Sequence, residues 1–168
     1  MDDYTVKVAY RSIMSGLPSQ SNQAWVRAWH KSIMSKVSCL VWKIFQNTIA
    51  TKDNLVRRGV IGQGMSLCAS GCGMDESISH LFFECLNFAG LWYHVCNWLG
   101  IVTTLRNEAM AHLDQFEGLI GSGRALHLRV SVIWFAGIWS IWKSRNDKLF
   151  NNKVISMDHM IKEVKRLS

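Results

Sequence analysis

The chain has 168 residues, 49% of them hydrophobic, with eight tryptophans and a formal net charge of +7. That is enough apolar mass for one domain with a buried core, and it excludes a disordered tail or a low-complexity polymer. The longest apolar run, 130–142, would span only about 20 Å as a helix, against a hydrocarbon core of about 30 Å, so no membrane span is expected.

In chain order, Thr5 caps a first predicted helix with Val6, Ala9, Tyr10 and Ile13 on one face, and a loop at 16–22 holds the only proline. Asn22 caps a short helix through Trp25, Trp29 and His30, where the two tryptophans, four apart, read as a core stripe, the alternative being exposed rings that stack unpaired bases beside Arg27 and Lys31. From Lys36 to Asn47, Val37, Leu40, Val41, Ile44 and Phe45 recur at helical spacing. Residues 51–59 start with Thr51 as cap, place Asp53 in the first turn, and close with Arg57, Arg58 and Gly59. Val60-Ile61 and Ser66-Leu67 are spaced to form a small hairpin.

That hairpin would lead into the one stretch with metal chemistry: Cys68, Cys72, His80 and Cys85, a C-x3-C-x7-H-x4-C pattern within 18 residues. Three thiolates and one imidazole are the donor set of a closed, four-coordinate zinc site. Gly71 and Gly73 let the backbone wrap round an ion. Asp75-Glu76-Ser77 reads as a helix start with solvated acids, followed by Ile78, Leu81 and Phe82 at helical spacing. His80 and Cys85 are five apart, about 500° of α-helical rotation. They converge only if the helix ends near Glu84 and Cys85 swings back. Buried free thiols or a disulfide are the competing readings; spacing, residue types and turn chemistry together select zinc. Cys39 and Cys96 read as core thiols. Five cysteines, an odd number, and an N-terminus without leader character predict a reducing, intracellular setting, nucleus or cytoplasm.

Beyond the cysteines, Phe88–Leu99 forms an aromatic helix stopped by Gly100, and 104–120 a weaker one closed by Gly121-Ser122-Gly123. Residues 124–150 form the longest helix. Its first part, with Val132, Ile133, Phe135, Ile138, Trp139 and Trp142, is apolar nearly all round and therefore central; its end, Lys143 to Lys148, is solvated. Ser156 caps a last helix with Met157, Met160, Ile161 and Val164 on one face. The fold expected is all-α, with a small zinc knuckle or hairpin inserted.

Charge is uneven. Residues 1–60 carry a net +6, 61–100 a net −3 with neither Lys nor Arg, and 101–168 a net +4. A finger that binds phosphates brings its own cations, so this zinc is a structural clip. RNA or DNA contact would fall to flanking residues: Lys52, Arg57 and Arg58, with Arg27 and Lys31 beside the tryptophans. Their bland alternative is a solvated face. Nucleotide-loop, hydrolase-elbow and zinc-protease motifs are absent, and His30, His94, His112, His127 and His159 have no partner at ligand spacing. No enzyme activity and no small-molecule substrate are expected.

These residues carry a resemblance. Trp29-His30, Lys36-Val37, Leu40-Val41-Trp42, Thr51 to Leu55, Arg57-Arg58-Gly59, Leu67-Cys68, Cys72-Gly73, Asp75-Glu76-Ser77, His80 to Phe83, Cys85 and Leu91-Trp92 follow in an order that resembles the reverse-transcriptase zinc-binding domain of plant LINE-type retroelements. Tyr4 to Tyr10 looks like its lead-in, and Ile138 to Asn146 with Phe150 to Lys153 like its tail. The chain departs from that family in having three residues, Ala69-Ser70-Gly71, where two are usual. The resemblance implies one structural Zn²⁺ on Cys68, Cys72, His80 and Cys85, an association with element nucleic acid, and a reverse transcriptase domain as neighbour. It carries no polymerase carboxylates, and reads as an isolated piece of an element gene. One domain over 1–168 is expected, holding the zinc-binding module at 25–92, its knuckle at 68–85, and a helical extension at 101–168. A nucleic-acid-binding accessory module, a protein-interaction scaffold and a remnant without a task all remain compatible with the sequence.

Overall fold

A computed structural model of the chain describes residues 28–29, 33–119 and 124–168. The helices expected around Val6 and Trp25 lie outside these residues, as do Arg27 and Lys31. The described residues hold α1 (Ser35–Phe45), α2 (Lys52–Arg57), α3 (Leu91–Leu99), α4 (Ala109–Gly118), α5 (Arg124–Asn151) and α6 (Met157–Leu167). No strand occurs among them; there is one isolated antiparallel bridge, Leu67 to Asp75. The fold is all-α, as the periodicity predicts.

α5 is the axis. From Val130 to Ile141 it is apolar on almost every side, and it is covered by α6, α4, α1, α3 and the helical turn at 80–84. Trp134, Ile138 and Ile141 have no exposed surface. A β-carbon at Gly137 would stand 2.7 Å from the Trp92 ring. The glycine therefore lets α3 close on α5, despite its cost inside a helix. α6 contributes Met160 and Val164 to the core, and Ser156 Oγ accepts from His159 N at 3.3 Å as the expected cap. α4 starts later than expected, at Ala109. Glu108 takes the cap with its carboxylate, accepting from Met110 N and Ala111 N, while Gln115 ties down the extended Thr104 carbonyl.

Two packing expectations need correction. Cys39 is exposed, because α1 buries the side carrying Val37, Ser38, Leu40, Val41 and Ile44; Cys96 is buried as expected. Trp29 is exposed and Ala28 is the buried residue beside it, so the described half of the Trp25–Trp29 stripe is not core.

His112 sits inside an aromatic cluster, its ring 4.6 Å from Phe83 and 4.7 Å from Trp92. Its Nδ1 accepts from Trp134 Nε1 at 2.8 Å, which requires that nitrogen to be unprotonated. Burial pushes its pKa down from 6.5 to about 4. Neutral His112 thus supports the fold fully above pH 6.5, and that support is lost as pH falls through 4; the difference is worth about 3 kcal/mol. Zinc-saturated protein should melt progressively lower across that window, and His112→Leu should flatten the slope. An identical slope in the variant would refute the assignment.

Candidate metal centre

The four ligands come from two local structures. The first is a hairpin closing over the knuckle itself: Cys68 N donates to Met74 O (2.7 Å) and Glu76 N to Ser66 O (2.8 Å). The expected pairing of 60–61 with 66–67 does not form; Gln63–Met65 is a 3₁₀ turn instead. The chain reverses at Gly71 (φ 79°) and Gly73 (φ 83°), conformations that side chains disfavour. Reversal therefore happens between Cys68 and Asp75 rather than before them.

The second structure carries His80 and Cys85. Ser77, not Asp75 or Glu76, caps it: Ser77 Oγ accepts from His80 N at 3.0 Å. The helix then widens into a π-helical turn, His80–Glu84, closed by Cys85 N donating to His80 O at 2.7 Å, five residues back. An α-helix would leave residues five apart about 140° out of line. The wider turn removes most of that gap, and Cys85 leaves the helix with extended backbone (φ −66°, ψ 113°). The convergence required by the spacing is thus achieved by a π turn.

The candidate ligand atoms of Cys68, Cys72, His80 and Cys85 all lie within 4.8 Å of one another. Sulfur separations are 3.9 Å (Cys68–Cys85) and 4.0 Å (Cys72–Cys85), and His80 Nε2 is 3.1 Å from Cys72 Sγ. Tetrahedral zinc needs about 3.8 Å between sulfurs and about 3.6 Å from sulfur to nitrogen. The three closest separations meet this within a few tenths of an ångström, and the widest pair, at up to 4.8 Å, closes by about an ångström. Four protein donors leave no open position for a reactive water, so the site holds one structural Zn²⁺.

The surroundings prepare thiolates. Ser70 sits at the centre: its Oγ lies 3.2 Å from Cys85 Sγ and accepts from Cys72 N at 3.2 Å. Hydrogen bonding from Ser70, helped by the Met74 amide and His80, lowers the Cys72 thiol to about 6 against the opposing burial. Burial pushes the Cys68 thiol up to about 12 despite the Ser70 hydroxyl and amide, with Cys85 and Cys72 adding to the rise. Zinc offsets that desolvation by supplying the missing positive charge, and its binding releases protons.

Glu76 was expected to be a solvated acid. It has no exposed surface. Its Oε1 accepts from Arg145 NH2 (2.6 Å), Arg145 Nε (3.2 Å) and Lys52 N (3.1 Å), and its Oε2 from Ala69 N (3.0 Å). Arg145, placed by the sequence in a solvated helix end, is 3% exposed. It also reaches the Ala50 carbonyl (3.2 Å) and stacks on Trp142, 4.8 Å from the ring centroid. One carboxylate thereby joins the knuckle, the start of α2 and the axis helix. The sequence signal was an acid just after the Cys72-Gly73 turn and an arginine three residues after Trp142 in a Trp-rich helix; charge alone pointed outward.

The sequence-chosen cations lie beside this hub. Lys52 Nζ donates to Leu67 O (2.7 Å) and Arg58 NH2 to Thr48 O (2.8 Å), while Arg57 is exposed on the last turn of α2. A further lysine that spacing did not single out, Lys148, donates from Nζ to Ser70 O at 2.7 Å. Among described residues no helix is long and apolar enough to cross a membrane.

No curated protein and no solved structure matches the chain significantly. A family model does: zinc-binding in reverse transcriptase, over residues 4–92. That span covers more than half the chain and contains all four ligands on the compact site just described, so the chain belongs to this family of accessory, non-catalytic zinc-binding domains.

Proposed function

We propose that the chain is a retroelement-derived module, of the plant LINE type, that grips RNA or DNA backbone beside a reverse transcriptase domain inside the cell. We take 1–168 as its single domain, with the module at 25–92 and the extension at 101–168. The observation that carries this reading is the Glu76 link: Glu76 receives both Ala69 N from the knuckle and Lys52 N from α2. The zinc clip thus fixes the segment that presents Lys52, Arg57 and Arg58, the residues expected to meet phosphate; Arg27 and Lys31 belong to the same proposal. Binding should fall steeply with salt. Arg57→Glu with Arg58→Glu should weaken a single-stranded oligonucleotide at least about tenfold and make the log–log salt slope about 1.4 units shallower. Unchanged affinity and slope would remove these arginines from the interface.

A second reading has its own observation. Met65, Leu67 and Phe150, all exposed, line a cavity of about 440 Å³ together with Leu55, Ile61 and Leu149. An open apolar surface of this kind suits a protein partner, whose binding would be insensitive to salt.

A further inference from the structure

The structure holds another cavity, of about 390 Å³, on the α5 side of the knuckle. Ser70, Asn87, Ser144 and Lys148 form its polar lining, and Leu86, Val154 and Ile155 lie among its apolar residues. Two features set it apart from a simple surface dent. Ser144 is 4% exposed as a residue and lines the cavity, and its hydroxyl, which is not a fully buried atom, makes no hydrogen bond among the described residues. Serine in a helix can bond back to the preceding turn, as Ser131 Oγ does to His127 O; Ser144 does not. Lys148 spends one donor on Ser70 O, leaving two N–H groups and a full positive charge at the cavity wall. No carboxylate lines this cavity. Lys143 and Lys153 lie in the adjoining cavity of about 230 Å³, which shares Ser144 and Ile155 and also contains Asp147, His159 and Glu163.

A cation, a hydroxyl and an amide at one end, with apolar walls beside them, recognise an anion that carries an apolar or planar body. The volume lies in the range of small-ligand sites. We propose that this cavity takes one nucleoside phosphate unit, with the phosphate on Lys148 and Ser144 and the sugar or base against Leu86, Val154 and Ile155. The proposal deepens the nucleic-acid reading, on which it partly rests. It places the phosphate contacts, Ser144 and Lys148, on α5, outside the 4–92 span. It also couples ligand to metal. Ser70 lies inside the Cys68–Cys72 knuckle, and Leu86 and Asn87 follow directly after Cys85, so one side of the wall is set by the zinc site. Ligand and zinc should then raise each other's affinity.

The test uses the zinc-loaded full chain and two probes, adenosine monophosphate and a short oligouridine, followed by amide NMR shifts and fluorescence anisotropy. Lys148→Gln should weaken binding about tenfold and Ser144→Ala about threefold, the range expected for charged and neutral hydrogen bonds. Lys148→Arg should retain it. Because Lys148 also supports Ser70, zinc content and melting are measured on each variant. Val154→Trp, at an exposed rim position, should block the cavity without removing a charge. Oligouridine binding far better than the mononucleotide identifies a strand as the natural ligand; equal binding identifies a free nucleotide. If the mononucleotide shifts the Asn87 and Ser144 amides while no strand binds, the cavity stands and the nucleic-acid reading falls. Parent-like affinity in both Lys148→Gln and Val154→Trp, or no amide response to either probe, overturns the proposal.

Discussion

Removing zinc should unfold the centre of this protein. Metal binding at structural sites contributes about 10–16 kcal/mol of apparent free energy at neutral pH, as much as the whole stability of an ordinary domain, about 5–15 kcal/mol. Here the ligands are not on a detachable loop. Cys68 and Cys85 are buried, and the turn between His80 and Cys85 supplies Leu81 and Phe82, which have no exposed surface. Trp92 Nε1 donates to Phe82 O at 2.7 Å, and Phe82 stacks 6.3 Å from Trp142. A knuckle that opens therefore drags the α3–α5 packing with it. Chelation should abolish amide protection from Leu67 to Ala89 and lower the melting temperature by tens of degrees, at about 2–4 °C per kcal/mol for a chain of this size. Cys72→Ala should do nearly the same, whereas Cys39→Ser, at an exposed thiol outside the cluster, should do neither. Native mass spectrometry beside the melting curve decides it: a metal-free chain with an unchanged transition would show that the cysteines are only packing residues.

Helical periodicity made α1, α3 and α6 legible, because each buries a stripe that a 3.6-residue repeat records faithfully, while α5 was legible from a long run that is apolar nearly all round. The four ligands were legible for a different reason: soft donors clustered at short spacing have few other uses. What the pattern could not convey was how residues distant in sequence satisfy one another. Glu76 and Arg145 are 69 residues apart, and each looks solvated when read alone. The π turn was implied by the five-residue spacing of His80 and Cys85, but only as a geometrical demand. The hairpin was misplaced because two apolar pairs, 60–61 and 66–67, imitate strands, while the glycines that permit reversal lie farther on, at Gly71 and Gly73. The absence of Lys and Arg from residues 61–100 was also misleading. Lys52 and Lys148 are delivered to the knuckle from either side, each donating to one of its carbonyls, and they offset the net negative charge of zinc with three thiolates.

The Glu76–Arg145 pair should be the second great sensitivity of the fold. A fully buried carboxylate with four donors is stable only while those donors are present; removing one partner leaves the other charge buried and uncompensated, at a cost of about 3–5 kcal/mol. Arg145→Met and Glu76→Gln should each lower the melting temperature by about 10 °C. The double variant should cost clearly less than the two singles added, since it leaves no orphan charge. The same pair reaches the metal. Glu76 Oε2 holds Ala69 N, the residue after Cys68, so both single variants should weaken zinc binding about 10- to 100-fold, as loss of a ligand's supporting hydrogen bonds does elsewhere. For Arg145 that effect acts from α5, beyond the 4–92 span of the family match. A competition titration of each variant against a chromophoric chelator reads it directly. Additive stabilities with parent-like zinc affinity would mean that the pair is a local contact. Non-additive stabilities with weakened zinc would mean that the zinc-binding module and its helical extension share one core through a single carboxylate.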